Sequence, residues 1–208
     1  MIWSLICGVS IIVINLILYF VYEFGNKNTL GKSFKMIYAK RMNVFILVLF
    51  IVSQCAIYYF TSARMIYISR YILVTFMYAI ALIDIDKHII PNKILIPMGI
   101  LGIVNIFINN QNNYKVTLIS AVIVAAIFIL MSKVTKGQIG MGDAYLFVVL
   151  DLWCGIEEML SIFLFSSFLV AFFGAILMIR SRKNRNKQIP FSPFIMASII
   201  LLYVTLGN

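Results

Sequence analysis

Two acidic segments carry the side chains that could do chemistry. Asp84 and Asp86 lie in ALIDIDKHIIPN, residues 81–92, and Asp143 lies in GQIGMGDAYL, residues 137–146. Two carboxyl groups held close together do not both ionise readily, so one keeps its proton while the other is charged. Such a pair can act as general acid and general base on a water molecule. The chemistry it predicts is hydrolysis, without a metal ion or a cofactor.

The rest of the chain must position these acids, and it is too apolar for a water-soluble globule. Of 208 residues, 63% are hydrophobic and 12% are charged, and the mean hydropathy is +1.04. A soluble domain needs a more polar surface than this composition offers. Because a backbone in lipid must satisfy its hydrogen bonds internally, we expect an all-α, polytopic transmembrane helical bundle. Apolar runs of near-spanning length predict about eight helices, at residues 2–22, 43–60, 66–83, 94–108, 117–131, 144–155, 159–179 and 191–206.

The basic residues predict the orientation of this bundle. With the N-terminus outside, the inside loops hold all but three of the 17 Lys and Arg residues, the exceptions being Arg64, Arg70 and Lys115. Cytoplasmic loops of membrane proteins retain such an excess of basic residues. Attraction to anionic lipid headgroups, at ~1 kcal/mol per residue near the surface, accounts for the clusters. We therefore expect a lipid bilayer as partner and no nucleic acid.

In this predicted topology, two acids that are far apart in sequence lie at the same depth in the membrane. Asp84 ends the third predicted span and Asp143 begins the sixth, both at the cytoplasmic boundary. A carboxylate at a membrane-helix centre costs about 2.5 to 3.5 kcal/mol on insertion scales, so each acid requires a physical reason. If the third and sixth helices pack together, the two carboxyl groups form the acid–base pair. A coupled pair titrates as a unit, which leaves open which aspartate is the base.

The glycines before Asp143 suit a helix start that a peptide could approach. Gly140 and Gly142 lack a Cβ and allow backbone angles and close contacts denied to other residues. Simpler interpretations stay open, because aspartate and glycine commonly cap helices. Asp84 and Asp86 could be an interfacial acid pair neutralised by Lys87, or a metal site, although no further acidic ligands are evident.

Other polar and sulfur-containing residues suggest no second reaction centre. His88, the single histidine, is interpreted as an interfacial residue, and Asp151 as a buried polar contact rather than part of the site. The cysteines are isolated in apolar runs, with neither CxxC pairs nor a histidine at metal spacing. They predict neither a disulfide nor a zinc site; they are Cys7, Cys55 and Cys154.

Together, these segments resemble the type IV prepilin peptidase family, which are membrane aspartyl proteases of the GxGD class. The resemblance rests on three stretches in family order: IDIDKHIIPN at 83–92, GMGDAYL at 140–146 and IPFSPF at 189–194. It implies that Asp84 and Asp143 are the catalytic aspartates. Each motif alone is weak, whereas three in order are specific.

The resemblance also assigns the supporting residues. Asp84 is preferred to Asp86 because it lies seven residues before Pro91, where the family keeps its aspartate. Many family members carry a lysine where this chain has Tyr145, so a neighbouring cation is missing. The residues expected to shape the site or bind substrate are Gly140, Gly142, Asp86, Pro91, Asn92, Tyr145, Pro190 and Pro193.

The resemblance covers about two thirds of a chain that we interpret as one integral membrane domain, residues 1–208. Residues 66–208 form the expected peptidase core, and 1–65 hold the N-terminal spans with a short basic cytoplasmic loop. Bifunctional family members carry a domain with two CxxC pairs after the first helix, associated with N-methylation. Here that loop, 24–42, contains no cysteine, so the resemblance does not extend to methyl transfer.

The implied function is removal of the short basic leader from type IV prepilins or pseudopilins, in the plasma membrane of a bacterium, with the site facing the cytoplasm. Two alternatives remain at this stage. One is another GxGD intramembrane protease, although the Tyr-Asp partner and Pro-Ala-Leu motif of the presenilin type are absent from the sequence. The other is a non-catalytic transporter or channel in which Asp84 and Asp143 relay protons or bind a cation.

Overall fold

The structure is a computed structural model that describes residues 50–51, 64–109, 114–135, 140–180 and 189–205. Apart from a short helical piece at Phe50 and Ile51, the described residues form six helices, with no strand in these ranges. In chain order the helices are α1 (Arg64–Lys87), α2 (Asn92–Asn109), α3 (Tyr114–Val134), α4 (Met141–Cys154), α5 (Ile156–Arg180) and α6 (Ser192–Thr205).

These helices coincide with the third to eighth predicted spans. The all-helical expectation is confirmed for the described ranges. The first two predicted spans, 2–22 and 43–60, lie outside the described residues except for positions 50 and 51, and so does the N-terminus. Helix α1 continues to Lys87, so Asp84 and Asp86 belong to its last turns rather than to the loop that follows.

The bundle has an end where α1 finishes and where α2, α4 and α6 begin, which we call the aspartate end. Two contacts define it. The backbone N–H of Ser192, the first residue of α6, donates a 2.9 Å hydrogen bond to Oδ2 of Asp84 on α1. Gly142, in the first turn of α4, lies against Ile90 in the turn between α1 and α2.

The opposite end is joined by polar contacts. The Arg70 guanidinium of α1 lies 4.5 Å from the ring centroid of Tyr203 near the end of α6. The Ser120 hydroxyl of α3 donates a 2.7 Å hydrogen bond to Asp151 of α4. Successive described helices therefore run in alternating directions.

Helix α4 is central to one half of the bundle, packing against α2, α3 and α5, whereas α1 packs mainly against α6. Phe147 of α4 stacks on Phe128 of α3 with centroids 5.3 Å apart and meets Phe163 of α5 edge-on at 5.2 Å. Offset and edge-on pairs of this kind add to the stabilisation from burial alone. The aromatic cluster fixes the position of α4 along the bundle axis, and therefore the position of its first turn.

Within the described residues, three helices are long and apolar enough to cross a membrane: Ile68–Lys87, Tyr114–Met131 and Ile156–Ile179. Helices α3 and α5 expose large apolar side chains along their outer faces, among them Val122, Leu130 and Phe168. An apolar face of this extent suits lipid rather than water. The described residues therefore form part of a helical membrane protein.

Candidate active site

Asp84 is a buried carboxyl group on α1. Its side chain is 6% exposed, and its Oδ2 accepts the Ser192 N–H at 2.9 Å. A buried carboxylate needs such a donor, because burial removes its hydration. Asp86, two residues further on, is exposed at the surface of the same helix. The two neighbouring acids thus differ in environment, and Asp84 is the one within the bundle.

Asp143 is held by the start of α4. Gly140 is the N-cap residue, with φ −62° and ψ 128°, and its carbonyl accepts the first helical hydrogen bond from Ala144 N–H at 3.2 Å. Asp143 follows in the first turn, partly buried. The expected helix start at GMGD is confirmed by this geometry.

The glycines provide space rather than unusual backbone angles. The dihedral angles of Gly140 are open to any residue, but a Cβ there would lie 3.0 Å from Oδ2 of Asp143. At Gly142, a Cβ would lie 3.1 Å from the Cβ of Ile90. The expectation that Gly140 supplies special backbone freedom is therefore wrong. Both glycines make close contacts within the protein, whereas the approach of a peptide to them stays a prediction.

Asp143 lies within electrostatic reach of Asp84. It is on α4, which is not among the described helices long and apolar enough to cross a membrane, and it precedes the apolar run of that helix. Burial, followed by the negative charge of Asp84, raises the pKa of the Asp143 carboxyl from 3.8 to about 6. Both effects disfavour a second negative charge. The two acids therefore interact across a gap of 59 positions in sequence.

The third motif, residues 189–194, contacts both helices that carry the acids. The ring of Phe191, just before α6, lies 5.9 Å from the ring of Phe147 on α4, while its neighbour Ser192 bonds to Asp84 on α1. The segment at the start of α6 therefore bridges the two helices that carry the acids. Pro190 and Pro193, on either side of these residues, are half-buried.

The route by which the acids meet differs from simple packing of their helices. The acid–base pair is predicted for the case in which the third and sixth predicted spans pack together. These spans are α1 and α4, which are not among the helix pairs in extensive contact. At the aspartate end they are connected through Ile90 and the start of α6. The sequence does not specify which helices pack together, so this connection between the two acids could not be predicted.

The remaining predicted residues lie at the start of α2 and on α4. The Pro91 carbonyl accepts hydrogen bonds from Ile94 and Leu95 and so begins α2, with Asn92 exposed in its first turn. Tyr145 is 43% exposed. His88 is exposed and continues past α1 with a positive φ of 53°.

Two residues at the site were not foreseen from the sequence. Ser192 acts through its backbone N–H, which every residue except proline carries, so its type gave no signal. Its position did, because a Ser-Pro pair at the start of an apolar run is typical of a helix N-terminus. Ile90 is an ordinary apolar residue, and only its contact with Gly142 reveals its part.

In the part of the chain that the structure describes, no group of three or more His, Cys, Asp or Glu side chains is arranged to hold a metal ion. Asp151, the other acid on α4, does not join the pair, and its Oδ2 accepts the Ser120 hydroxyl as the buried polar contact expected of it. Asp84 and Asp143 remain a pair of interacting carboxyl groups.

Residues 71–175, which include both aspartates, match the type IV leader peptidase family. The match covers half of the chain. The chain belongs to the type IV leader peptidase family.

Curated relatives agree with this family membership. The chain is 27% identical over 133 residues to the prepilin leader peptidase/N-methyltransferase of Bacillus subtilis strain 168, covering 64% of this chain and 54% of the relative. It is 30% identical over 129 residues to the protein of that name from Xanthomonas campestris pv. campestris, covering 60% and 45%. For the Aeromonas hydrophila protein of that name, identity is 31% over 126 residues, covering 56% and 42%. The chain thus spans about half the length of these relatives, and no solved structure matches it.

Proposed function

We propose that this protein is a membrane aspartyl endopeptidase that cleaves the short basic leader from type IV prepilins or pseudopilins. Its relatives bear the name prepilin leader peptidase, which supports the substrate class. The single observation that carries the proposal is the meeting of three separate motif segments at one end of the bundle, where the charge of Asp84 acts on Asp143.

In the proposed reaction, Asp84 and Asp143 are the catalytic residues. One carboxylate removes a proton from water as the oxygen attacks the scissile carbonyl carbon, and the other, protonated, donates to the carbonyl oxygen. Gly140 and Gly142 add no Cβ at the start of α4, which leaves room for the Asp143 carboxyl beside Gly140 and for Ile90 beside Gly142. No metal ion or cofactor is required by this scheme.

The surroundings of the pair fit a substrate with a polar leader and an apolar helix. Asp86, Lys87, Asn92 and Lys93 are exposed around the turn from α1 to α2, whereas the outer faces of α3 and α5 are apolar. We propose that Asp86, Pro91, Asn92, Tyr145, Pro190 and Pro193 shape the peptide-binding region. The reaction site would face the cytoplasm of a bacterium, at the boundary of its plasma membrane.

The proposal treats the chain as a single integral membrane domain of about eight spans with its N-terminus outside. Residues 66–208 would be the peptidase core, and the family match at 71–175 lies within it. The proposed activity is leader cleavage alone. The second half of the relatives' name, N-methyltransferase, is not carried over to this chain.

The test is cleavage of a panel of purified prepilins by the purified protein in detergent micelles. We expect Asp84→Asn and Asp143→Asn each to reduce cleavage to background while membrane yield is maintained. Asp151→Asn is the matched control, because it changes a carboxyl group outside the pair and away from the peptide-binding region, and it should retain cleavage. Retained cleavage by Asp84→Asn or Asp143→Asn would refute the assigned pair. Proton or cation flux in liposomes, abolished by the same two substitutions, with no cleavage by the wild type, would favour a transporter instead.

A further inference from the structure

The environments of the two proposed catalytic aspartates are unequal. Asp84 is buried and accepts the backbone N–H of Ser192, a residue that is itself 0% exposed. Asp143 is more exposed, and within the described part of the chain no hydrogen bond reaches its carboxyl group. Because only one of the two carboxyl groups accepts a hydrogen bond from the described residues, the two aspartates are not equivalent as acid and base.

The supporting donor is determined by the way α6 begins. The first N–H groups of a helix have no partner within the helix. Here Pro193 carries no N–H, and Phe194 and Ile195 both donate to the Phe191 carbonyl, at 3.0 and 3.2 Å. Ser192 N–H is therefore the helix-start donor left for Asp84.

This contact favours a charged Asp84 for two reasons. A hydrogen bond from N–H to a carboxylate is roughly twice as strong as one to a neutral acceptor. The N-terminus of α6 also carries the positive end of the helix dipole, which stabilises an anion within the first turn. When one proton is shared between the two carboxyl groups, the pair therefore has its lowest energy with the proton on Asp143.

We propose that the N-terminus of α6 assigns the two roles, with Asp84 as the general base, Asp143 as the general acid and Ser192 as the residue that positions Asp84. The inference rests on the proposed function and deepens it. The raised pKa of Asp143 agrees with the assignment, because an acid must hold its proton until the carbonyl oxygen needs it.

The assignment gives a balanced reaction. Asp84 takes a proton from water, whose oxygen bonds to the peptide carbonyl carbon, while Asp143 gives its proton to the carbonyl oxygen. The resulting tetrahedral diol collapses when Asp84 returns its proton to the leaving nitrogen and Asp143 recovers one from a diol hydroxyl. The C–N bond breaks, leaving a carboxyl and an amine. Both aspartates return to their starting states, so no other reactant is consumed.

Other charged groups near Asp84 are few in the described ranges. On α1 they are Asp86 and Lys87, followed by His88, and the first turn of α2 adds Lys93. Helix α4 contributes Asp143, which interacts with Asp84. Helix α6 carries no Asp, Glu, Lys, Arg or His from Ser192 to Thr205, so its effect on Asp84 comes from its backbone.

Replacing Ser192 tests the proposal through the pH dependence of prepilin cleavage. Ser192→Pro removes the N–H at a helix position where proline is well tolerated, whereas Ser192→Ala removes the hydroxyl and keeps the N–H. We expect the acidic limb of the kcat/KM profile to rise by about one to two pH units in Ser192→Pro, since a hydrogen bond to a charged group is lost. In Ser192→Ala the limb should stay at the wild-type pH, whatever the absolute rate. If the acidic limb has the same midpoint pH in Ser192→Pro and Ser192→Ala, the inference is overturned.

Infrared spectra provide a second test that does not require Ser192→Pro to fold. At about pH 5, Asp84→Asn and Asp143→Asn are each compared with the double variant, so that bands from other acids cancel. We expect a protonated-carboxyl band from Asp143 in Asp84→Asn, because burial, the larger cause of its raised pKa, remains in this variant. We expect none from Asp84 in Asp143→Asn. A protonated band in Asp143→Asn refutes the assignment. If both single variants lose cleavage but the spectra are reversed, the inference alone fails; if either retains cleavage, the proposed function fails.

Discussion

Ile90 occupies the space beside Gly142, where an added Cβ would lie 3.1 Å from the Cβ of Ile90. This contact joins the turn after α1 to the first turn of α4. It therefore ties the element that carries Asp84 to the element that carries Asp143. Since α1 and α4 do not pack extensively elsewhere, the relative position of the two acids depends on this small contact and on the start of α6.

Gly142→Ala should misplace the two aspartates relative to each other. Its Cβ would force Ile90 to give way, and displacements well below 1 Å in a catalytic pair are costly in rate. We expect kcat for prepilin cleavage to fall about tenfold. The additional substitution Ile90→Ala makes room for the new methyl group and should recover part of the loss, as a double-mutant cycle would measure.

Gly99→Ala is the matched control for this substitution. A Cβ at Gly99 would make an ordinary 3.5 Å contact with Val149, so the same chemical change meets no crowding. We expect kcat to stay within about twofold of the wild type. Similar losses for Gly99→Ala and Gly142→Ala would show that crowding against Ile90 has no special effect.

The sequence was informative about elements and poor at predicting contacts. Apolar run length and charge placement predicted helices at the six positions where the structure describes them, because both follow from lipid exposure. The acids at 84 and 143 were identifiable because carboxyl groups are rare in such a chain. The part played by Ser192 was not, because a backbone N–H carries no side-chain signature. The packing of α1 on α6 rather than on α4 was equally hidden, since apolar periodicity does not specify a partner helix.

Cleavage should decline as the pH rises through the titration of Asp143. If this residue acts as the acid, deprotonation removes the proton that the reaction needs. Its pKa is raised to about 6 by burial and by Asp84, so kcat/KM should show a basic limb with a midpoint at about pH 6. Each further pH unit should then reduce kcat/KM about tenfold. Initial rates on one prepilin across a pH series, in buffers of constant ionic strength, provide the measurement.

Asp151→Asn is the control for this pH dependence. It changes the other aspartate of α4, which interacts with Ser120 rather than with Asp84, and should leave the basic limb where it is. A limb that moved with Asp151→Asn, or a rate that rose steadily above pH 6, would contradict the role of Asp143.

Ser120→Ala should destabilise the bundle without changing the chemistry. The Ser120 hydroxyl is the donor to Asp151 Oδ2 at 2.7 Å, and the other oxygen of this buried carboxyl group, Oδ1, has no partner in the described chain. Leaving a buried acceptor unsatisfied costs about 1–3 kcal/mol. We expect a lower Tm in detergent micelles, with cleavage per folded molecule unchanged because this pair lies away from the aspartate end.

A double variant separates the hydrogen bond from general damage to the core. Ser120→Ala with Asp151→Leu removes both polar partners and keeps the branched shape of the residue at 151, and replacing both partners by apolar groups can be nearly neutral. The double variant should therefore be more stable than Ser120→Ala alone. Destabilisation that is simply additive would mean that the two side chains do not stabilise each other.

His88→Gly should stabilise the protein and retain cleavage. His88 follows α1 with φ 53°, and its N–H donates to the Asp84 carbonyl at 2.8 Å, an arrangement that glycine adopts without the strain caused by a Cβ. Relief of that strain is worth about 1 kcal/mol, visible as a higher Tm. His88→Val, which cannot adopt this angle easily, should lower the Tm and disturb the end of α1. Loss of cleavage in a more stable His88→Gly would instead indicate that the imidazole takes part in the reaction, against its interpretation as an interfacial residue.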